Sequence, residues 1–96
     1  MTTPEELLGA AHSACYSMAL SNGLANAGHA PESLQVTAAV TFQPGEGITG
    51  SHLLVSAKVA GVTEEQFEAF AEDAKANCPV SMALTGIPIT LEASLA

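Results

Sequence analysis

The feature that most limits the architecture is a stretch without charge. From Leu7 to Gly28 there is no Asp, Glu, Lys or Arg, yet a strong helix start precedes it. Thr3-Pro4-Glu5-Glu6 reads as a capping box, with threonine at the N-cap, proline at the first helical position and Glu6 reaching back. The acidic pair also suits the positive end of the helix dipole. Leu7, Leu8, Ala11, Ala14, Cys15, Met18 and Ala19 follow at helical spacing, and Ala10 and Leu20 carry the apolar character round the girth. A surface helix would show a charged outer face, so this one is expected to be enclosed on several sides. Gly9, Ala10, Ala11, Ser13 and Ala14 would let another helix approach closely. Gly28, with Pro31 soon after it, is the expected stop.

Two strands come next. Leu34, Val36, Ala38, Val40 and Phe42 alternate with Gln35, Thr37, Ala39, Thr41 and Gln43, the period of a half-buried strand. Pro44-Gly45-Glu46-Gly47 is a turn, and Leu53, Val55, Ala57 and Val59 form a second apolar row, completing a β-hairpin with one wet face. Thr63-Glu64-Glu65-Gln66 opens a second helix with another capping box, whose apolar stripe is Phe67, Phe70, Ala71 and Ala74. That helix is expected to end near Asn77, because Cys78 precedes Pro79 and a residue before proline avoids helical geometry. Cys78-Pro79-Val80-Ser81 can start a short third helix, with Pro79 at its first position. Ile87, Ile89, Leu91, Ala93 and Leu95 alternate as a last strand, with Pro88 favouring an edge or a strand start. The expected class is α+β, ordered α-β-β-α-α-β, a long buried central helix against an antiparallel sheet. Three strands cannot enclose a helix buried all round, so another piece of chain or a second subunit is expected to complete it.

The 96 residues make one domain, residues 1–96. A chain of this length buries about 60–65% of its unfolded surface, so association into a dimer would help it. Net charge is −8, Lys58 and Lys75 are the only basic side chains, and arginine is absent. A phosphate backbone would be repelled, which excludes nucleic acid and an anionic membrane as partners. No apolar run approaches the roughly 18 residues of a membrane span, and the residues after Met1 do not resemble a signal peptide. The expected location is cytoplasmic, and no cofactor is expected.

Cys15 and Cys78 are the only cysteines, too few for a disulfide scaffold. In a reducing compartment such a pair is catalytic, redox-sensing or metal-bound, or simply two buried inert thiols. Apolar surroundings alone would raise the Cys15 thiol pKa, so a reactive Cys15 needs a positive partner. His12, one turn back, is the nearest candidate in sequence. At a helix N-cap, Cys78 would face free N–H groups that favour thiolate. An enclosed cysteine suits selective attack on a peroxide, and a junction cysteine suits resolution to a disulfide. Leu8, Met18, Met82 and Phe67 or Phe70 are candidate apolar walls, suited to an alkyl or fatty hydroperoxide. An alternative is a metal site of His12, Cys15 and Cys78, with His29 or His52 as the fourth ligand.

Thr3 through Leu20, with Glu5 and His12-Ser13-Ala14-Cys15 within it, resembles the peroxidatic helix of the OsmC/Ohr family. Ala74-Lys75-Ala76-Asn77-Cys78-Pro79-Val80-Ser81 resembles its resolving-cysteine motif. The wording around Cys15 is nearer the osmotically inducible branch than the organic hydroperoxide resistance branch, and the resemblance runs through essentially the whole chain. It implies an intertwined homodimer with paired long helices and active sites at the interface. It also implies reduction of organic hydroperoxides by a cysteine-based peroxidase, with electrons from a dithiol reductant such as a lipoylated protein. By position in the motifs, Cys15 is the peroxidatic thiol, Cys78 the resolving thiol, and Glu5 the glutamate that positions an arginine. That arginine lies in a strand-rich N-terminal segment absent from this sequence, which corresponds to the C-terminal two-thirds of the family domain. Ten helical residues separate Glu5 from Cys15 by about 15 Å, so Glu5 is expected to serve the Cys15 of the other subunit or to act through the arginine. The contrasting expectation is a structural or interaction domain that keeps the fold without the activity.

Overall fold

The computed structural model describes residues 2–96. Helix α1 spans Pro4–Asn26, strand β1 Ser33–Gln43, strand β2 Gly47–Lys58, helix α2 Glu64–Asn77, helix α3 Pro79–Ala83 and strand β3 Ile89–Leu95. The element order is the expected one.

Each helix start follows from its local chemistry. The Thr63 hydroxyl accepts from the Gln66 N–H while the Gln66 side chain accepts from the Thr63 N–H, a complete capping box. At α1 only half of the box forms. Thr3 accepts from the Glu6 N–H, but its hydroxyl donates to the Glu6 carboxylate at 3.2 Å, so Glu6 does not cap the Thr3 N–H as expected.

The sheet has order β1-β2-β3. β1 and β2 form the expected antiparallel hairpin, with Val36 opposite Val55, and a register shift between Thr41 and Phe42. β3 corrects the expectation of an antiparallel sheet, because it runs parallel to β2, with Leu53 opposite Leu91. The physical reason is the connection. α2 and α3 carry the chain back along the sheet before β3 begins, which is the crossover that a parallel pair requires.

Helices cover one face of the sheet. The core joins Tyr16, Leu20 and Leu24 of α1, Leu53, Val55 and Ala57 of β2, and Phe67 and Ala74 of α2, with Cys78 in the same cluster. The opposite face carries Gln35, Thr37, His52, Ser56, Thr90 and Glu92.

The expectation of a helix enclosed on several sides needs correction within this chain. α1 buries one stripe, Gly9, His12, Tyr16, Leu20 and Leu24, and leaves Leu7 and Met18 61% and 73% exposed. The buried stripe includes His12 and Tyr16, whose polar atoms find partners inside. The alanine and methionine stripe faces outward.

Candidate active site

α1 projects His12, Cys15 and Tyr16 at spacings that share one side of the helix. The Tyr16 hydroxyl donates to the Ala71 carbonyl at 2.9 Å and ties the middle of α2 to α1. α2 then delivers Cys78 to the level of Cys15. Cys78 has extended backbone angles, φ −63° and ψ 121°, and ends α2 while beginning α3. Pro79 dictates both roles, because it cannot continue α2 and is well placed to open α3.

The two thiols face one another within hydrogen-bonding reach. They are free cysteines, Cys78 buried and Cys15 half-buried. Cys15 lines an open cleft of about 570 Å³ together with Met18, Asn22, Asp73, Asn77 and Pro79. Of the residues anticipated as apolar walls, Met18 lies in this cleft, whereas Phe67 belongs to the core and Met82 is exposed.

Acidity and access are divided between the sulfurs. Burial pushes the Cys15 thiol up, the Val80 N–H lowers it in part, and the neighbouring Cys78 raises it again. Burial alone would raise Cys78 as well. The Ser81 N–H, the Cys15 thiol, the Ser81 hydroxyl and the Val80 N–H together bring it below its ordinary value. The side chain makes no capping hydrogen bond of regular geometry, yet these donors converge on its sulfur. Cys78 is thus the more acidic thiol, and Cys15 is the one open to the cleft.

His12 is fully buried. Its Nδ1 lies 2.7 Å from the Ser51 Oγ of β2, and its Nε2 lies 2.8 Å from the Ser81 Oγ of α3. Burial lowers its pKa, so it is a neutral imidazole and not the cation that Cys15 would need. Both ring nitrogens are occupied by serines, which removes His12 from the proposed metal set. His52 lies on the exposed face of β2, bonded to Thr90 at 2.6 Å, away from that set. Lys58 pairs with Glu32 at 3.6 Å, and Lys75 with Glu72 at 3.5 Å, so neither lysine supplies a charge to Cys15.

Glu5 does not meet either sulfur. It lines a separate groove between the start of α1 and β1, with Gly9, Ser13 and Val36 to Val40. Sequence reasoning brought the two cysteines together but missed Ser51 and the part played by Ser81. The available signal was a buried histidine, which demands polar partners for both ring nitrogens.

Residues 1–92 match the family model described as OsmC-like protein. The chain is 44% identical to peroxiredoxin OsmC of Escherichia coli over 97 aligned positions, covering 98% of the chain and 67% of that relative. Among solved structures, an organic hydroperoxide resistance protein from Elizabethkingia anophelis is 31% identical with a TM-score of 0.76, over 99% of this chain and 69% of that one. The organic hydroperoxide resistance protein OhrB of Bacillus subtilis shares the fold at 23% identity and a TM-score of 0.75, covering 97% of this chain and 70% of its own. A helix bearing one cysteine, a second cysteine at a proline-punctuated helix junction and a match through nearly every residue have one explanation: the chain belongs to the OsmC-like family.

Proposed function

We propose that the chain reduces organic hydroperoxides, with Cys15 as the attacking thiol and Cys78 as the resolving thiol. The observation that carries this reading is the pair of facing sulfurs, one open to a cleft and the other buried behind it. The names of its relatives, a peroxiredoxin and organic hydroperoxide resistance proteins, support the reaction class.

The chemistry follows from the division of acidity. The Cys15 thiol gives its proton to the Cys78 thiolate as its sulfur attacks the terminal oxygen of ROOH. The O–O bond breaks, Cys15 becomes a sulfenic acid, and the departing alkoxide takes a proton from solvent to leave as ROH. Cys78 then attacks the oxidised sulfur, the S–S bond forms, and hydroxide departs with the proton that Cys78 had accepted, as water. Two thiols and ROOH give a disulfide, ROH and water. A dithiol, such as a lipoylated protein, restores the pair.

Glu5, placed apart from Cys15 in one chain, is assigned to the Cys15 of a second copy in a homodimer or to an arginine ligand. The exposed Leu7 and Met18 on α1 support a second copy. The chain is taken as one domain, equivalent to the C-terminal two-thirds of the family domain, acting in the cytoplasm.

Cumene hydroperoxide consumption with a dithiol tests the reaction. Turnover is expected to vanish in Cys15→Ser, and Cys78→Ser, which removes the proton acceptor together with the resolving thiol, is expected to oxidise more slowly and to stop at a trapped sulfenic acid. One observation favours a second reading. Burial raises the Cys15 thiol, which fits a domain that keeps the fold with impaired catalysis. A Cys15 rate no faster than a free thiol decides for that reading.

A further inference from the structure

The hydrogen-bond chain behind Cys78 has a direction. It runs from Ser51 through the two nitrogens of His12 to Ser81, and the Ser81 hydroxyl lies within reach of the Cys78 sulfur. All the side chains of this chain are buried: Ser51 at 2%, His12 at 0%, Ser81 at 5% and Cys78 at 0% exposure. A neutral imidazole carries one ring proton, so it donates at one end and accepts at the other. Two arrangements satisfy both ring nitrogens. In the first, Ser51 donates to Nδ1, Nε2–H donates to the Ser81 oxygen, and the Ser81 proton turns to the sulfur. In the second, Nδ1–H donates to Ser51, the Ser81 proton turns to Nε2, and the Ser81 oxygen accepts the S–H of a protonated Cys78.

We propose that His12 is a positioning residue for Cys78, its tautomer deciding whether the Ser81 hydroxyl donates to the sulfur or accepts from it. The resting form is the Nε2–H tautomer. In that form Ser81 joins the Cys15 thiol and the N–H groups of Val80 and Ser81 as donors to one sulfur. Such convergence stabilises a thiolate that takes the proton of Cys15 and later attacks it. Tyr16 of α1 is the other titratable group that senses Cys78, but its proton is committed to the Ala71 carbonyl. The proposal rests on the resolving role of Cys78 set out above.

Two measurements test it. Nitrogen-15 shifts of His12 in the unmutated, reduced full chain at neutral pH are expected to report a neutral ring protonated at Nε2, and a ring protonated at Nδ1 overturns the proposal. The second is the ultraviolet thiolate titration of Cys78 in a Cys15→Ser background. There, Ser81→Ala and His12→Phe are each expected to raise the midpoint by about 1–2 pH units. The double variant is expected to move no further than Ser81→Ala alone, because His12 acts through Ser81. His12→Gln, whose amide nitrogen can donate to Ser81, is expected to restore most of the midpoint. An unchanged midpoint in folded His12→Phe, or an additive double variant, overturns the proposal. Neither measurement needs peroxide turnover. If peroxide consumption fails while the tautomer and titration behave as expected, the peroxidase reading falls and the role of His12 stands.

Discussion

At Gly9 the helix α1 comes so close to β1 that a methyl group would sit 2.8 Å from the Ala38 carbonyl oxygen. That oxygen belongs to the backbone and cannot swing away. Gly9→Ala is expected to lose about 1–3 kcal/mol to crowding, only partly offset by roughly 1 kcal/mol of helix propensity. Gly23, on the same helix, has nothing within 4 Å of its added methyl. Gly23→Ala is therefore expected to gain up to about 1 kcal/mol. Urea titrations of the two variants should move in opposite directions. His12 makes a further prediction, for pH. Its folded pKa is depressed by burial, so below about pH 6.5 the unfolded chain takes up a proton that the folded chain refuses. The stability that His12 contributes is present above that pH and is lost as pH falls toward its folded pKa. His12→Gln should flatten this part of a stability-versus-pH curve measured in urea.

At the scale of elements, α2 acts as an arm that holds Cys78 at the sulfur of Cys15. It is anchored by its cap at Thr63, by Phe67, Ala71 and Ala74 in the core, and by the Tyr16 hydroxyl at mid-length. Thr63→Ala is expected to cost about 1 kcal/mol, and Tyr16→Phe about 0.5–1.5 kcal/mol. Their chemical effects should differ. Thr63 lies at the far end of α2, whereas Tyr16 is the next residue along α1 from Cys15. Tyr16→Phe is expected to slow the formation of the disulfide after a single peroxide pulse, read by mass spectrometry, more than Thr63→Ala does.

The whole molecule is long and thin, 46 × 25 × 18 Å, one layer of helices on one sheet. Its Cα radius of gyration is 13.6 Å, against about 12–13 Å for a compact chain of this length. Leu7 and Met18 lie exposed on the outer face of α1, and Met18 lines the cleft of Cys15. A second copy laid along this face would remove them from water. Sedimentation is expected to show a concentration-dependent dimer, and Met18→Glu should shift it to monomer by placing an unpaired charge in the contact. A monomer at all concentrations would remove the trans assignment of Glu5. Among the described residues, no helix is long and apolar enough to cross a membrane.

The amino-acid sequence by itself determined the elements and the punctuation that places the cysteines. The reasons are local: caps at Thr3 and Thr63, strand alternation from Leu34 to Ala57, and Pro79 after Cys78 act within a few residues. It did not reveal which side of α1 is buried, because a helix apolar all round has no pattern to set its rotation. The tertiary structure decided that, by offering Ser51 and Ser81 to His12 and the Ala71 carbonyl to Tyr16. It also decided the parallel pairing of β3, which depends on where a long crossover returns. The acidity of the sulfurs was decided in space as well. The donors around Cys78 converge from α1 and α3, and no spacing in the chain records how closely they meet.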